Sequence, residues 1–211
     1  MPPLDPRALV REGYDRASRA YRADDCDLER SGYGHWLRRL RPRLAAGARV
    51  LDLGCGCGVP VARELVARGY RVTGLDLSPV QIARAHALVP GAEFVLGDMS
   101  EAAFAPGSFD AAVAFYSIVN VPVADQPGLV ARIAGWLAPG GWLLAIVGRF
   151  PATRLEPAFR GVAGVPMYWS LASITDARAW FARAGLAIVE EGVQPPRGEP
   201  GFAVLIARKA P

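Results

Sequence analysis

The sequence predicts an α/β protein built on a doubly wound, mostly parallel sheet, and three observations carry that expectation. Short apolar runs at Arg49–Leu53, Tyr70–Leu75, Glu93–Leu96, Phe109–Tyr116 and Trp142–Val147 alternate with amphipathic segments, the pattern of strand–helix–strand units. The first run breaks at once into Gly54-Cys55-Gly56-Cys57-Gly58, and the second ends in Asp76. The last two runs, Leu186–Val193 and Phe202–Arg208, are joined by Gln194–Gly201. That link is too short for a crossover helix, so the two are expected as an antiparallel pair at the sheet edge.

Taken in order, Asp5-Pro6 reads as a helix start, an N-cap followed by a proline suited to the first turn. Val10, Tyr14, Ala17 and Tyr21 then share one helical face. A second helix is expected over about Leu28–Ala45, turning Tyr33, Trp36, Leu37, Leu40 and Leu44 to a core, with His35 beside it. After the glycine turn, Pro60 suits a helix start and Gly69 ends that helix. Ser78-Pro79 caps the next one, Val80–Leu88, which carries His86. The apolar continuity of Phe109–Tyr116 implies a strand covered on both faces. Asp125–Leu137 is amphipathic and is closed by Ala138-Pro139-Gly140-Gly141 ahead of the fifth strand. Arg149–Ser170 interrupts the alternation, is rich in Pro, Gly and Arg, and ends Met167-Tyr168-Trp169-Ser170. A long irregular stretch in a compact α/β protein is a candidate binding loop or lid, and exposing those three side chains would be costly. Helix Asp176–Ala184 stops at Gly185.

Composition sets the bounds. The 211 residues are 52% hydrophobic and 21% charged, which suits a single folded domain spanning 1–211 and not a disordered chain. Neither repeats nor a linker appear. Net charge is +4 and the sequence pI is about 9.2, a balance that can signal nucleic acid. Yet Lys209 is the only lysine, and the arginines are scattered beside abundant Ala, Gly and Pro, so a coding bias toward arginine explains the charge. The one dense basic run, Arg38, Arg39, Arg41 and Arg43, is explained by an exposed helix face. Cys26, Cys55 and Cys57 form no fully paired framework, which fits a reducing, cytoplasmic setting. Cys55 and Cys57 have no third and fourth ligand nearby, so no metal is expected. Met1–Arg7 has no signal-peptide pattern, and no apolar run approaches the length of a membrane span.

A glycine turn after strand one and an acid ending strand two are the arrangement that holds an adenosine ribose by its hydroxyls. The spacing here is G-x-G-x-G and not that of the dinucleotide fingerprint, and Asp52 stands in the strand just before the turn. An added carboxylate repels a pyrophosphate and suits a cation. Asp52-Leu53-Gly54-Cys55-Gly56-Cys57-Gly58 resembles motif I of the class I S-adenosylmethionine (SAM) methyltransferases of small-molecule type, and Asp76 resembles their ribose-binding acid. The resemblance covers nearly the whole chain and is strongest over Val50–Asp98. It implies a seven-stranded sheet of order 3-2-1-4-5-7-6 with helices on both faces and an N-terminal helical lid over 1–47. The core would be 48–211, with 149–170 as a substrate insertion. It implies SAM as cofactor, S-adenosylhomocysteine as product and no metal. The implied cofactor residues are Tyr21, Asp52, Gly54, Cys55, Gly56, Asp76, Leu77, Gln81, Asp98, Met99, Phe115 and Tyr116, with Asp98 on the adenine amino group and Met99 against the ring.

Methyl transfer from a sulfonium is an in-line displacement in which holding two partners in line and excluding water supply most of the help, roughly 7–11 kcal/mol. A base is needed only when the nucleophile starts protonated. The stretch Tyr116-Ser117-Ile118-Val119-Asn120-Val121-Pro122 resembles small-molecule relatives in which the position of Asn120 is often a histidine; Asn is no base at neutral pH. The Asn-Pro-Pro-Tyr pattern of methyltransferases acting on nucleic-acid bases and amino groups is absent. The expectation is therefore methyl transfer to a small acceptor, an aromatic or natural-product-like metabolite. Asn120, Tyr21 and Tyr14 are the candidate catalytic residues. Tyr14, His35, Asn120, Arg149, Met167, Tyr168 and Trp169 are the candidate acceptor contacts. Tyr14 and Tyr21 are expected to meet Met167, Tyr168 and Trp169 across one cavity that also touches Gly54 and Tyr116, with Asn120 as its polar anchor. The alternatives are a SAM-binding partner protein without chemistry, and an RNA methyltransferase. Neither nucleic acid nor membrane is expected as a partner, and the chain is expected as a monomer or weak homodimer.

Overall fold

The computed structural model describes residues 5–194 and 201–211. Residues 1–4 of the stretch Met1–Arg7, and 195–200 of the link Gln194–Gly201, lie outside them. Nine strands are present among the described residues: β1 Arg49–Leu53, β2 Arg71–Asp76, β3 Glu93–Leu96, β4 Phe109–Ala114, β5 Leu137–Val147, β6 Ala152–Glu156, β7 Met167–Leu171, β8 Leu186–Gln194 and β9 Phe202–Lys209. Seven form one sheet in the order β3-β2-β1-β4-β5-β9-β8. With the separate β6–β7 hairpin set aside, this is the expected 3-2-1-4-5-7-6. The pairs within β3-β2-β1-β4-β5 are parallel, and β9 runs antiparallel to both β5 and β8.

The helices are α1 Pro6–Tyr21, α2 Leu28–Ser31, α3 Gly34–Leu40, α4 Val61–Ala67, α5 Pro79–Leu88, α6 Gln126–Trp136 and α7 Ile174–Arg183. Alternate strand residues feed two cores. Val50, Val113, Leu144 and Val204 face α1, α3 and α4 through Val10, Trp36, Leu37 and Leu65. Leu51, Ala112, Leu143 and Leu205 face α6 and α7 through Leu129, Ile133 and Phe181. The continuous apolar runs of the central strands follow from this double coverage.

Several boundaries differ from expectation. The helix over Leu28–Ala45 is two short helices and a 3₁₀ turn, Arg41–Arg43. Gly32, at φ 73°, breaks it, because the left-handed region is open to glycine and closes a helix. The fourth strand stops at Ala114, before Tyr116, whose own φ is 57°. The fifth begins at Leu137 and runs through Ala138–Gly141, with a register shift against Phe109/Ala111 that absorbs the prolines and glycines. Arg149–Ser170 is no irregular stretch: β6 and β7 pair antiparallel within it, Ala152 opposite Leu171 and Glu156 opposite Met167.

Helix α1 is fastened at both ends. Asp5 caps it by accepting from the Arg7 N–H at 3.0 Å. Asp15 accepts from Ser78 Oγ at 2.5 Å, at the cap of α5. Near its C-terminus, Arg84 donates to the Ser18 carbonyl at 2.9 Å and to the Arg22 carbonyl at 2.8 Å, and pairs with Asp24. Gly13 lets β7 come close: a Cβ there would stand 2.6 Å from Met167 Cε and 3.1 Å from the Pro166 carbonyl. Helix α1 thus bridges α5 and the β6–β7 hairpin across the C-terminal ends of the parallel strands, where ligands of doubly wound sheets bind.

Candidate cofactor and acceptor sites

The glycine turn is closed by the sheet and by Asp76. Gly54, Gly56 and Gly58 have φ of 68°, 54° and 75°, a region costly for other residues. A Cβ on Gly54 would lie 2.3 Å from Ser117 Cβ, so the end of β1 abuts the segment after β4 directly. Asp76 accepts from the Gly56 N–H at 2.8 Å and from the Ser78 N–H at 2.9 Å. Burial pushes its carboxyl up to about 6, against the lowering effect of those two backbone donors. Asp52 is also buried, and its Oδ2 has no hydrogen-bond partner. Burial, and then the charge of Asp76, push Asp52 up to about 8. Gln81 accepts from Ser18 Oγ at 2.8 Å through Oε1, while its buried Nε2 has no partner. A buried carboxylate oxygen without a donor, beside a turn stripped of Cβ atoms, fits a cationic nucleoside: such a ligand supplies the charge that Asp52 lacks.

Two cavities flank α1. The smaller, about 40 Å³, is lined among others by Leu77, Asp98, Met99, Ser117 and Asn120, with Arg7 and Val10 of α1 over it. Arg7 reaches Asp98 at 3.3 Å, Glu101 at 2.8 Å and Asp125 at 3.4 Å, so α1 lies on the acid assigned by resemblance to the adenine amino group. The larger cavity, about 1030 Å³, is lined by Tyr21, Tyr33, Tyr116, Phe159, Trp169 and Phe202, and by Arg22, Arg160, Glu156 and Gln194. Its rings form a continuous wall. Tyr21 stacks on Phe159 at 5.8 Å between centroids, Trp169 meets Phe202 at 6.3 Å, and Tyr116 meets Phe202 edge-on at 5.0 Å. Tyr14, expected as an acceptor contact, lines neither space and packs between their walls. Its ring meets Tyr21 at 5.1 Å and Phe159 at 5.3 Å, and its hydroxyl donates to Asn120 Oδ1 at 3.2 Å. Burial, then the neighbouring Tyr21, holds the Tyr14 phenol well above its ordinary value. Burial also pushes Tyr116 up to about 12. These phenols stay protonated at neutral pH.

The expected single acceptor cavity is corrected in part. Tyr21, Trp169 and Tyr116 do share the large cavity, and His35 sits exposed at its rim, but Gly54 does not line it. Asn120 lines the small cavity and is committed: besides Tyr14, it donates Nδ2 to the Tyr168 carbonyl at 2.7 Å. Met167 is buried against Gly13, and Tyr168 lines neither cavity. Tyr168 is turned to the opposite face of β7 from Trp169, whereas Met167 shares the face of Trp169 and is covered by α1 at Gly13. Arg149 is exposed and lies over the Phe150 ring at 5.1 Å. Cys55 and Phe115 are buried behind the turn, Cys55 against β2 (a Cβ on Gly74 would meet its sulfur at 2.8 Å) and Phe115 stacked on Tyr33 at 4.5 Å. Sequence reasoning missed Arg22, Glu156, Phe159, Arg160 and Phe202. Phe159 and Arg160 lie in the stretch expected as a binding loop or lid, where the aromatic run Met167–Trp169 is the stronger signal, and the periodicity of Tyr33 points to the core. The basic run is neutralised by ion pairs: Arg38 with Glu29, Arg41 with Glu64, and Arg39 and Arg43 with Glu190. Among the described residues, no helix is long and apolar enough to cross a membrane, and no cluster of three or more His, Cys, Asp or Glu is placed to hold a metal.

A doubly wound seven-stranded sheet with this turn, this pair of buried acids and this N-terminal helix defines a nucleoside-binding protein of the class I methyltransferase fold. Residues 50–141 match a family model described as a methyltransferase domain. A ubiquinone biosynthesis O-methyltransferase of Xanthomonas euvesicatoria pv. vesicatoria is 34% identical over 161 residues, covering 68% of this chain and 64% of the relative. The namesake from Xylella fastidiosa strain M23 is 31% identical, covering 89% of this chain and 87% of that one. Among solved structures, the magnesium protoporphyrin IX methyltransferase of Synechocystis PCC 6803 with bound SAM superposes at TM-score 0.73, with 18% identity and full coverage of both chains. The chain belongs to the SAM-dependent methyltransferase family, and SAM is its cofactor.

Proposed function

We propose that the protein transfers the methyl group of SAM to an oxygen of a small aromatic acceptor held in the large cavity. The observation that carries this reading is the ring-lined cavity separated by Tyr14 from the small one, which holds Asp98 and Met99. The naming of its relatives as O-methyltransferases supports oxygen as the nucleophile. When bound, SAM supplies an electrophilic methyl on a sulfonium. Asp52 offers the charge complement to that cation. Asp76 takes the ribose hydroxyls beside Gly54 and Gly56, Gln81 offers its unused amide N–H, and Leu77, Asp98 and Met99 hold the adenine. Tyr14, fixed by Asn120, and Tyr21 form the wall between cofactor and acceptor, exclude water, and present ring faces to positive charge. Cys55 and Phe115 act behind the site, as packing under the turn and under Tyr33.

The acceptor's proton needs a destination if the nucleophile is a hydroxyl. Tyr14, Tyr33 and Tyr116 are held protonated by burial, Glu29 is engaged by Arg38 at 2.5 Å, and His35 accepts from Arg39 at 3.0 Å. Glu156, on β6, remains; its Oε2 accepts from the Trp169 indole at 3.0 Å. We assign it the role of proton acceptor. The experiment is incubation of the protein with labelled-methyl SAM and a cell extract, with mass spectrometry of the products. A labelled small aromatic ether supports the reading, and Glu156→Gln should then lower kcat by at least tenfold with KM little changed. Label in RNA would establish the alternative of an RNA methyltransferase. Calorimetric binding of SAM without any labelled product would favour a partner protein without chemistry.

A further inference from the structure

We propose that the large cavity is built for a flat aromatic acceptor carrying a carboxylate, and that Arg160 is the residue that selects for the acid. This rests on the methyltransferase reading and narrows its substrate class.

Two guanidinium groups face the cavity, and both lack a carboxylate within ion-pair distance among the described residues. Arg22 donates to the Tyr33 hydroxyl at 2.8 Å and to Cys26 Sγ at 3.3 Å, neither of them a carboxylate. Arg160 lies over the Tyr21 ring at 5.3 Å and the Phe159 ring at 5.6 Å. On the outer surface, by contrast, Arg38, Arg39, Arg41 and Arg43 are all ion-paired. A ring takes up none of the N–H donors of a guanidinium that lies over it, and that fork matches a carboxylate in two parallel bonds.

The backbone singles out Arg160 as well. It has φ 54° and ψ 30° inside the 3₁₀ turn Phe159–Gly161. A non-glycine residue in the left-handed region is a local strain, and such strain gathers at ligand clamps. The consequence here is placement: Phe159 is buried against Tyr14 and Tyr21, while Arg160 stands exposed at the cavity mouth. Neither acid of the wall pairs with it: Glu29 is paired with Arg38, and Glu156 accepts from the Trp169 indole and makes no ion pair with Arg160. An acceptor of this class puts its ring among Tyr21, Phe159 and Trp169, and its acid against Arg160.

The test compares two probes of one shape, 6-hydroxy-2-naphthoate and its methyl ester, titrated by tryptophan fluorescence with and without S-adenosylhomocysteine. The acid should bind at least tenfold tighter than the ester to the native chain. Arg160→Gln should bring the two within threefold, Arg160→Lys should keep most of the preference, and neither should move the Kd of S-adenosylhomocysteine by more than twofold. Equal binding of acid and ester, no saturable binding of the acid at millimolar concentration, or a preference that survives Arg160→Gln overturns the proposal. So does an equal loss of S-adenosylhomocysteine binding in that variant, which would give Arg160 to the cofactor. If Arg160→Gln does not fold, the acid-to-ester ratio of the native chain decides. Failure of S-adenosylhomocysteine to bind at all would sink the methyltransferase reading, and the titrations without it would still decide the acid preference.

Discussion

Replacing Asp52 by Asn should flatten the pH dependence of SAM binding. In the ligand-free protein Asp52 is buried, has an oxygen without a donor, and is pushed up to about 8. A cation placed beside it favours the ionised form, so binding draws on the ionised fraction alone and releases a proton. With a pKa of about 8, that fraction is roughly 3% at pH 6.5 and roughly half at pH 8, a gain of about fifteenfold in apparent affinity. Asp76, at about 6, is already mostly ionised at pH 6.5 and adds less than about twofold. The assay is isothermal titration of SAM across this window, in buffers of different ionisation heat so that the released proton is counted. Asp52→Asn should bind more weakly at pH 8 and show almost no slope. Stability runs the opposite way. A carboxyl held above its ordinary value contributes stability that is complete below the ordinary carboxylate range and is lost as pH rises toward about 8. The ligand-free protein should therefore melt lower at pH 8 than at pH 6, and SAM should restore it most at pH 8. A Kd that is constant in this window, or an unchanged slope in Asp52→Asn, would refute the assignment.

Three further outcomes can be measured directly. Asp76→Ala should weaken SAM binding more than tenfold in calorimetry and also lower stability, since the Gly56 and Ser78 N–H groups lose their acceptor at about 1–3 kcal/mol each; a fully stable variant with unchanged Kd would remove Asp76 from the site. Gly54→Ala meets Ser117 Cβ at 2.3 Å and a φ of 68°, so it should abolish SAM binding in the folded fraction and lower the Tm; retention of native affinity would mean the end of β1 is more open than described. Arg84→Met removes the charged donors on the Ser18 and Arg22 carbonyls, each worth roughly 1.5–3 kcal/mol, and should raise amide hydrogen exchange in the last turn of α1 well before that of the sheet; uniform exchange across both would count against α1 as a fastened lid.

The sequence by itself determined the sheet. Period and apolar continuity report burial on one or two faces, and burial of the parallel strands is decided within a few residues of each, so the succession of the seven strands of the main sheet was legible, while their order in the sheet came from the family resemblance. The glycine turn with Asp52 and Asp76 was legible for the same reason: φ above zero favours glycine, and the two acids stand at the ends of strands adjacent in the sheet. What the tertiary structure alone decided is the second half of the site. Tyr14 reaches Asn120, Arg84 holds the end of α1, and Trp169 meets Phe202 across long sequence separations, contacts without any local signature. The β6–β7 hairpin was hidden because its strand β6 is largely exposed, so its residues show no buried periodicity. Its register nevertheless decides that Trp169 and not Tyr168 faces the cavity, since one step along a strand turns a side chain to the other face. Arg160 and Glu156 became visible as site residues only when that hairpin was laid against α1, because a charged side chain in a glycine- and proline-rich segment looks the same in sequence whether it meets solvent or a ligand.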